Sequence, residues 1–329
     1  AYPVEGIGEP GRPGWEESTR YVRHAVSHYS ETWHPYPYPV AINVAGIVGG
    51  MEYPMIVFCD VDARGQSLFG VTDHEFAHIW FPMLVGSDER RHAWMDEGFA
   101  TFMGFYSNLA FYDDDATGTE RLSAASIAGM MRTNLADQPV ATYPDHQNPM
   151  GLSFLAYRKP GMGLLLLREY VLGPERFDSA LRAYIDRWAY RHPQPADFFR
   201  AMEEGAGENM AWFWRGWFYT THANDQAIAE VSAQDATELT GQPGAGHYYR
   251  VTVENRGGLV MPLHIEATYT DGTTERFDLP VDVWRNNERA FTRGFFSSKD
   301  LVQVTLDPDE AFADVDRENN VWRAAVVER

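Results

Sequence analysis

His74-Glu75-Phe76-Ala77-His78, followed by Trp94-Met95-Asp96-Glu97-Gly98-Phe99-Ala100, decides the fold. Apolar residues recur at helical spacing from Thr72 to Val85, and a spacing of four puts both imidazoles on one helix face, one turn apart. Glu75 lies about 100° round the same helix from His74, within reach of a metal-bound water but not placed as a ligand. A His-Glu-x-x-His pentapeptide arises by chance in roughly 3% of chains of this composition, so a further ligand is needed. Glu97 supplies it. The interval after His78 is long enough to finish one helix, turn through the polar stretch Gly86 to Arg91, and start a second helix antiparallel to the first. Two histidines and a carboxylate leave the fourth position of a zinc ion open, the donor set of a catalytic site holding one Zn2+ per chain. A surface helix with two hydrogen-bonded histidines is the alternative, and Glu97 weighs against it.

Working outward, Tyr21, Val22, Ala25, Val26 and Tyr29 have helical spacing, and the prolines Pro35, Pro37 and Pro39 end that helix. The first fifteen residues, rich in Gly and Pro, read as an extended arm. Val40 to Val48 alternates as a strand, Gly49-Gly50 breaks it, and Met55 to Cys59 reads as another strand. Downstream, helical periodicity predicts helices over Trp94–Leu109, Thr119–Asn134, Gly161–Leu172, Pro174–Trp188, Pro195–Glu204 and Asn209–Tyr219. Beyond about Ala227, short β-rich runs (Tyr248–Glu254, Leu263–Tyr269, Thr273–Leu279, Arg289–Phe295, Leu301–Leu306, Val321–Val327) are separated by turns such as Asp271-Gly272. That spacing predicts an antiparallel sandwich. The expected class is α+β, mainly α, with a catalytic domain over residues 1–226 and an all-β domain over 227–329.

The chain has 329 residues with 47 acidic and 27 basic side chains, a formal charge of −20. Such a surface excludes nucleic acid, whose phosphates need clustered Lys and Arg, and disfavours anionic membranes. The sequence holds no apolar run long enough for a membrane span. Its single cysteine, Cys59, removes any disulfide framework and reads as a buried core residue. Asp307, Asp309, Asp314 and Asp316 lack the Gly and Glu register of a calcium loop and read as a solvated turn. The tryptophans Trp212, Trp214 and Trp217 have helical spacing and are expected in a core.

The His74 to His78 motif, the interval to Glu97 and the run Glu97-Gly98-Phe99-Ala100 resemble the gluzincin zinc metallopeptidases, and among them the aminopeptidase N family. Upstream, Gly49-Gly50-Met51-Glu52-Tyr53 is similar to that family's Gly-x-Met-Glu-Asn exopeptidase motif. Downstream, Tyr157-Arg158-Lys159-Pro160-Gly161 resembles its Tyr-x-Lys-Gly segment. The resemblance implies a thermolysin-like catalytic domain followed by an immunoglobulin-like sandwich. It also implies an enzyme that hydrolyses the N-terminal bond of peptides with a free N-terminus. Zinc would sit on His74, His78 and Glu97, with Glu75 as general base and then acid.

The resemblance further points to Tyr157 as oxyanion donor, a role a phenol suits because it stays protonated at neutral pH. Glu52 would pair with the substrate's α-ammonium, while the side-chain-free Gly49 and Gly50, with Met51, border an extended peptide on a strand edge. Thr101, one turn after Glu97, reads as a helix-packing residue with a hydrogen bond to Glu97 as the alternative. The family's Asn after the exopeptidase Glu is Tyr53 here, and its Asn before the third ligand is Asp96; both departures touch specificity before activity. Full-length members carry an N-terminal β-domain that closes over the site, so this chain is expected to be the core of a longer enzyme, with a periplasmic or extracellular setting. A zinc endopeptidase and a non-catalytic peptide-binding scaffold are the competing readings, and the intact Glu75 argues against the second.

Overall fold

The computed structural model describes residues 14–112 and 122–325. Most of the expected N-terminal arm, the start of the helix expected from Thr119 and the end of the last expected strand lie outside these residues. The chain forms two compact units, one from residues within 1–123 and 134–220, the other from residues within 124–133 and 221–329.

In the first unit, helix α1 (Ser18–Thr32) buries Tyr21, Ala25 and Tyr29, the stripe expected from its periodicity. Strands β1 (Ile42–Gly46), β2 (Gly50–Tyr53) and β3 (Ile56–Asp60) form a sheet in the order β1-β3-β2, with β1 parallel and β2 antiparallel to β3. Gly49, expected to break the strand, lies in the bend that follows β1, and Gly50 opens β2, an edge strand. Cys59 on β3 is fully buried, as read from its apolar run.

Helix α2 (Gly65–Ala77) packs on α1 and on α3 (Glu97–Phe111). Two hydrogen bonds fix it centrally, and a third ties α3 to α1. The buried Asp73 carboxylate accepts from the Tyr29 hydroxyl at 2.8 Å and the Ser107 hydroxyl at 2.6 Å, and the Ser107 hydroxyl lies 3.1 Å from His24 Nε2. A carboxylate inside an apolar helix bundle is stable only with such donors, and here they come from both neighbouring helices.

Helix α2 is shorter than its periodicity predicts. His78 is its cap, and a wide helical turn, Ile79–Leu84, follows. The cause is Pro82: a residue before proline is pushed out of the α region, and Phe81 is extended at φ −136°, ψ 109°. Helices α5 (Lys159–Leu166), α6 (Pro174–Trp188), α7 (Pro195–Ala206) and α8 (Ala211–Tyr219) complete this unit. Trp214 and Trp217 of α8 are buried, as the helical spacing required.

The second unit includes α4 (Ala124–Met131), a shorter helix than expected, and α9 (Ala236–Thr240). Its strands are β4 (Gln226–Asp235), β5 (His247–Asn255), β6 (Leu263–Tyr269), β7 (Thr274–Leu279), β8 (Ala290–Ser297), β9 (Leu301–Leu306) and β10 (Val321–Arg323). They form two antiparallel sheets, ordered β10-β9-β6-β7 and β4-β5-β8. Alternate residues of both, among them Val251, Val253, Ile265, Ala267, Phe277 and Val304, share one core. The long strand β4 escapes sequence reading because most of it is exposed or half-buried and carries no clean alternation. Asp307 and Asp314, expected in a solvated turn, are instead buried and serve the fold internally. Asp307 pairs with Arg317 at 2.9 Å and accepts backbone N–H groups of Ala311 and Phe312, and Asp314 accepts that of Gln226.

Candidate metal centre and active site

The two imidazoles project from the last turn of α2, and the carboxylate comes from the first residue of α3, where the helix N-terminus favours negative charge. His74 Nε2 and His78 Nε2 are 3.1 Å apart, and Glu97 Oε2 lies 3.1 Å from the first and 3.2 Å from the second. Four donors bound to zinc at about 2.0–2.1 Å in a tetrahedron are separated by about 3.3 Å, so these three atoms have the spacing of three corners of such a shell. Two imidazole nitrogens this close cannot both carry protons, nor both be bare, without facing like charge. A cation shared with the carboxylate removes the conflict. His74, His78 and Glu97 therefore fit a divalent metal.

The His78 ring is fully buried and oriented from behind. Its Nδ1 lies 2.9 Å from the Phe81 carbonyl and 2.6 Å from Asp96 Oδ1, both acceptors, so Nδ1 carries the proton and Nε2 faces the centre. The Phe81 carbonyl points back because Pro82 forces Phe81 to be extended, and the ring of Phe81 stacks on Phe99 with centroids 4.3 Å apart. Although burial opposes it, the carboxylates of Asp96 and Glu97 hold His78 well above the usual histidine range. Burial likewise opposes ionisation of Glu97, yet the His74 and His78 rings keep its carboxyl well below the usual range.

Tyr157 enters from the wide helical segment Phe154–Arg158 that runs directly into α5. Its hydroxyl donates to Glu97 Oε1 at 2.5 Å, and its ring lies nearly parallel to that of His74 with centroids 5.9 Å apart. This reach depends on close packing of α3 against the start of α5. A Cβ at Gly98 would come within 2.8 Å of Pro160, and one at Gly161 within 2.9 Å of Thr101. Thr101 packs against that glycine and makes no hydrogen bond to Glu97. Burial first, and Glu97 second, raise the Tyr157 hydroxyl above the ordinary phenol range, so it remains a donor.

Glu75 is buried on the strand side of the centre. Burial pushes it up to about 7; His74 and His78 oppose this, while Glu52 and Glu97 add to it. Along β2 alternate residues share a face, so Gly50 and Glu52 belong to one face and Met51 and Tyr53 to the other. Oxygens of Glu52 and Glu75 and a ring nitrogen of His78 lie within 4.8 Å of one another. Gly50 runs directly against Glu75, where a Cβ would overlap the carboxylate. Gly49, by contrast, has nothing within 4 Å of where a Cβ would be. Met51 pairs across the sheet with Phe58, and Tyr53, the departure from the exopeptidase motif, packs edge-on against the same Phe58.

Beside the His74 ring opens a cleft of about 650 Å³, bordered by Gly70, Val71, Thr101, Tyr157 and Arg158. Sequence reading did not anticipate Phe81, Asp96 or Asp73 as supports of the centre. Pro82 four residues after His78, and an aspartate directly before His74 and before Glu97, were the available signals.

The profile of the peptidase family M1 domain matches residues 46–217, and the chain belongs to that family. Among similar curated proteins, aminopeptidase M1-A of Oryza sativa subsp. japonica is 30% identical over 175 residues, covering 53% of this chain and 20% of that protein. Aminopeptidase M1 of Arabidopsis thaliana is 30% identical over 239 residues, covering 65% and 27%. The chain thus spans about a fifth to a quarter of the length of these relatives. The crystal structure of Legionella pneumophila aminopeptidase A in complex with aspartic acid is similar in fold, with a TM-score of 0.63 over 92% of this chain and 35% of that one, at 12% identity. Among the described residues no helix is long and apolar enough to cross a membrane.

Proposed function

We propose that this chain is a zinc aminopeptidase whose catalytic unit has the thermolysin-like arrangement and whose β-unit is immunoglobulin-like. The observation that carries the reading is the triangle of His74 Nε2, His78 Nε2 and Glu97 Oε2, with edges of 3.1–3.2 Å, set against the buried base Glu75. These three residues would hold one zinc ion. When bound, zinc supplies Lewis acidity that lowers the pKa of water and polarises the scissile carbonyl.

The chain's own residues do the rest. Glu75, raised to about 7, is matched to accepting a proton from the attacking water near neutrality and returning it to the leaving amine. Tyr157 holds its proton beside the centre, ready to turn from Glu97 to the oxyanion. Glu52 faces the unprimed side from β2 and binds the α-ammonium, while β2 offers an edge along which the N-terminal residue lies extended. Membership of peptidase family M1, and the aminopeptidase names of similar proteins, support exopeptidase over endopeptidase action. The test compares an aminoacyl anilide with its N-acetyl form, alongside zinc counted per chain. Hydrolysis confined to the free amine at one zinc per chain is expected; equal rates on both would sink the aminopeptidase reading.

A further inference from the structure

The proposed mechanism uses Tyr157 but gives no part to its neighbour Arg158, nor an occupant to the cleft of about 650 Å³ that both residues border with His74. Two further charged groups reach the wall of this cleft. Asp73 is fully buried, and its carboxylate already accepts from the hydroxyls of Tyr29 and Ser107 at 2.8 and 2.6 Å. Arg158 is half-buried and, among the described lining residues, is the one that is positively charged at every working pH. The two sides of the centre therefore differ in sign. Glu52 and Glu75 gather with His78 toward β2, whereas the cleft beside His74 carries a guanidinium, in a chain whose formal charge is −20.

A glycine supplies an independent sign that the cleft is built to be filled. Gly70 lies inside α2, four residues before His74 and so on the same helix face, and it borders the cleft. Glycine inside a helix is less stable than alanine. Gly98 and Gly161 are required by backbone and side chains that crowd them, but a Cβ at Gly70 would meet nothing within 4 Å among the described residues. Packing within the chain does not demand this glycine, and its effect is to widen the space one turn from the ligand His74.

We infer that Arg158 is a specificity-determining residue that pairs with a carboxylate on the substrate's second residue, the one released with the leaving amine; this rests on the aminopeptidase reading. With the N-terminal residue along β2 and the scissile carbonyl at the centre, the departing residue has the cleft beside His74 to enter. Its α-carboxylate carbon is two bonds from the leaving nitrogen, about 2.5 Å away. Arg158 directly follows Tyr157, whose ring is 5.9 Å from that of His74, so the guanidinium belongs to the same wall. A guanidinium gives a carboxylate two parallel charge-assisted hydrogen bonds, which a neutral amide cannot match. The carboxylate is either the free end of a dipeptide or the side chain of an acidic second residue.

Four substrates separate these sources: leucylalanine and its C-terminal amide, and the C-terminal amides of leucylglutamate and leucylglutamine. On the zinc-loaded wild type we expect kcat/KM to be about tenfold higher for the anionic member of at least one pair, and that pair identifies the carboxylate that Arg158 reads. In Arg158→Gln the ratio should fall to about one, with kcat/KM for leucylalaninamide within about twofold of wild type; Arg158→Lys should keep part of the ratio. Calorimetric binding of the same pairs to Glu75→Gln, in which turnover is stopped, should show the preference as affinity. A wild type that cleaves the amides but prefers neither anion would overturn the inference and leave the aminopeptidase reading intact. So would an R158Q enzyme that keeps the ratio, or one that loses all four substrates alike, the mark of a structural role. A wild type that hydrolyses none of the four would overturn both.

Discussion

The Tyr157 hydroxyl donates a 2.5 Å hydrogen bond to Glu97 Oε1, while Oε2 of the same carboxylate faces His74 and His78. One residue thus joins the candidate metal centre to the candidate oxyanion donor. Removing the hydroxyl should cost transition-state stabilisation more than metal binding, because Oε2 keeps its place. In Tyr157→Phe we expect kcat to fall by about 10²–10³-fold, with KM little changed and zinc still at one per chain. Retention of wild-type kcat would remove Tyr157 from the chemistry.

Gly50 and Glu75 are in such close approach that a methyl group at position 50 would overlap the carboxylate and sit 3.1 Å from Val71 Cγ2. The carboxylate is the end of a flexible side chain, so it should yield before the backbone does. Gly50→Ala is therefore expected to fold with near-normal stability and to lose kcat by about ten- to a hundredfold through a misplaced base. Gly49→Ala, which meets nothing within 4 Å, should stay near wild type. Thermal unfolding and kcat measured on both variants check the contrast; equal effects would mean that the glycines serve the strand and not the base.

Much of this was legible in the chain, for identifiable reasons. The spacing of His74 and His78 is a property of one helix and the alternating runs of the β-unit are likewise local, whereas Glu97 enters only through a turn to a second helix. Gly50, Phe81 and Asp73 were not legible in their roles. Gly50 acts through Glu75, Asp73 through Tyr29 and Ser107, and the Phe81 ring through Phe99, all far along the sequence, while the Phe81 carbonyl reaches back to the nearby His78. Local pattern reports what a residue is, whereas these roles depend on what the fold places opposite it. The truncated end of α2 lies between the two cases, because Pro82 announces a break but not which carbonyl it turns toward His78.

Burial raises Glu75 to about 7, and a general base works only when deprotonated. The kcat/KM profile should therefore rise with pH through a limb near 7, being low on the acid side. Glu75→Gln should lose at least about 10³-fold in kcat and leave no limb of that origin. The same shift has a sign in stability. A carboxyl whose folded pKa lies above its ordinary value favours the folded chain at low pH, and that contribution is lost as pH rises from about 4.5 toward 7. E75Q, neutral throughout, should gain stability relative to wild type across that window. Chemical denaturation at pH 5 and pH 8 measures it, and a constant difference would argue against the raised pKa.

Metal retention should also depend on pH. Asp96 and Glu97 hold His78 well above the ordinary histidine range, so a metal ion entering the centre displaces a proton from it. Affinity for zinc should consequently weaken as pH falls, and a chelator should remove the ion and the activity together, with both restored by zinc. Equilibrium dialysis between pH 6 and pH 8 provides the measurement. Affinity that does not change with pH would exclude coupling to His78.

Lys159 is fully buried beside the site segment, and its Nζ has no hydrogen-bond partner among the described residues. Burial lowers it to about 8. Below that pH the folded chain must carry the buried charge in full. As pH rises from about 8 to 10.5 the folded chain has shed the proton while the unfolded chain still binds it, so stability rises across that window. A shift of this size corresponds to at most about 3 kcal/mol. Lys159→Met keeps the unbranched shape and drops the charge, and should stabilise the protein by about 1–3 kcal/mol at pH 7. The gain should shrink at pH 9.5. Urea unfolding at the two pH values distinguishes this from packing alone, since a purely steric effect would give the same difference at both, and a loss of stability at pH 7 would show that the ammonium has a partner worth more than its desolvation costs.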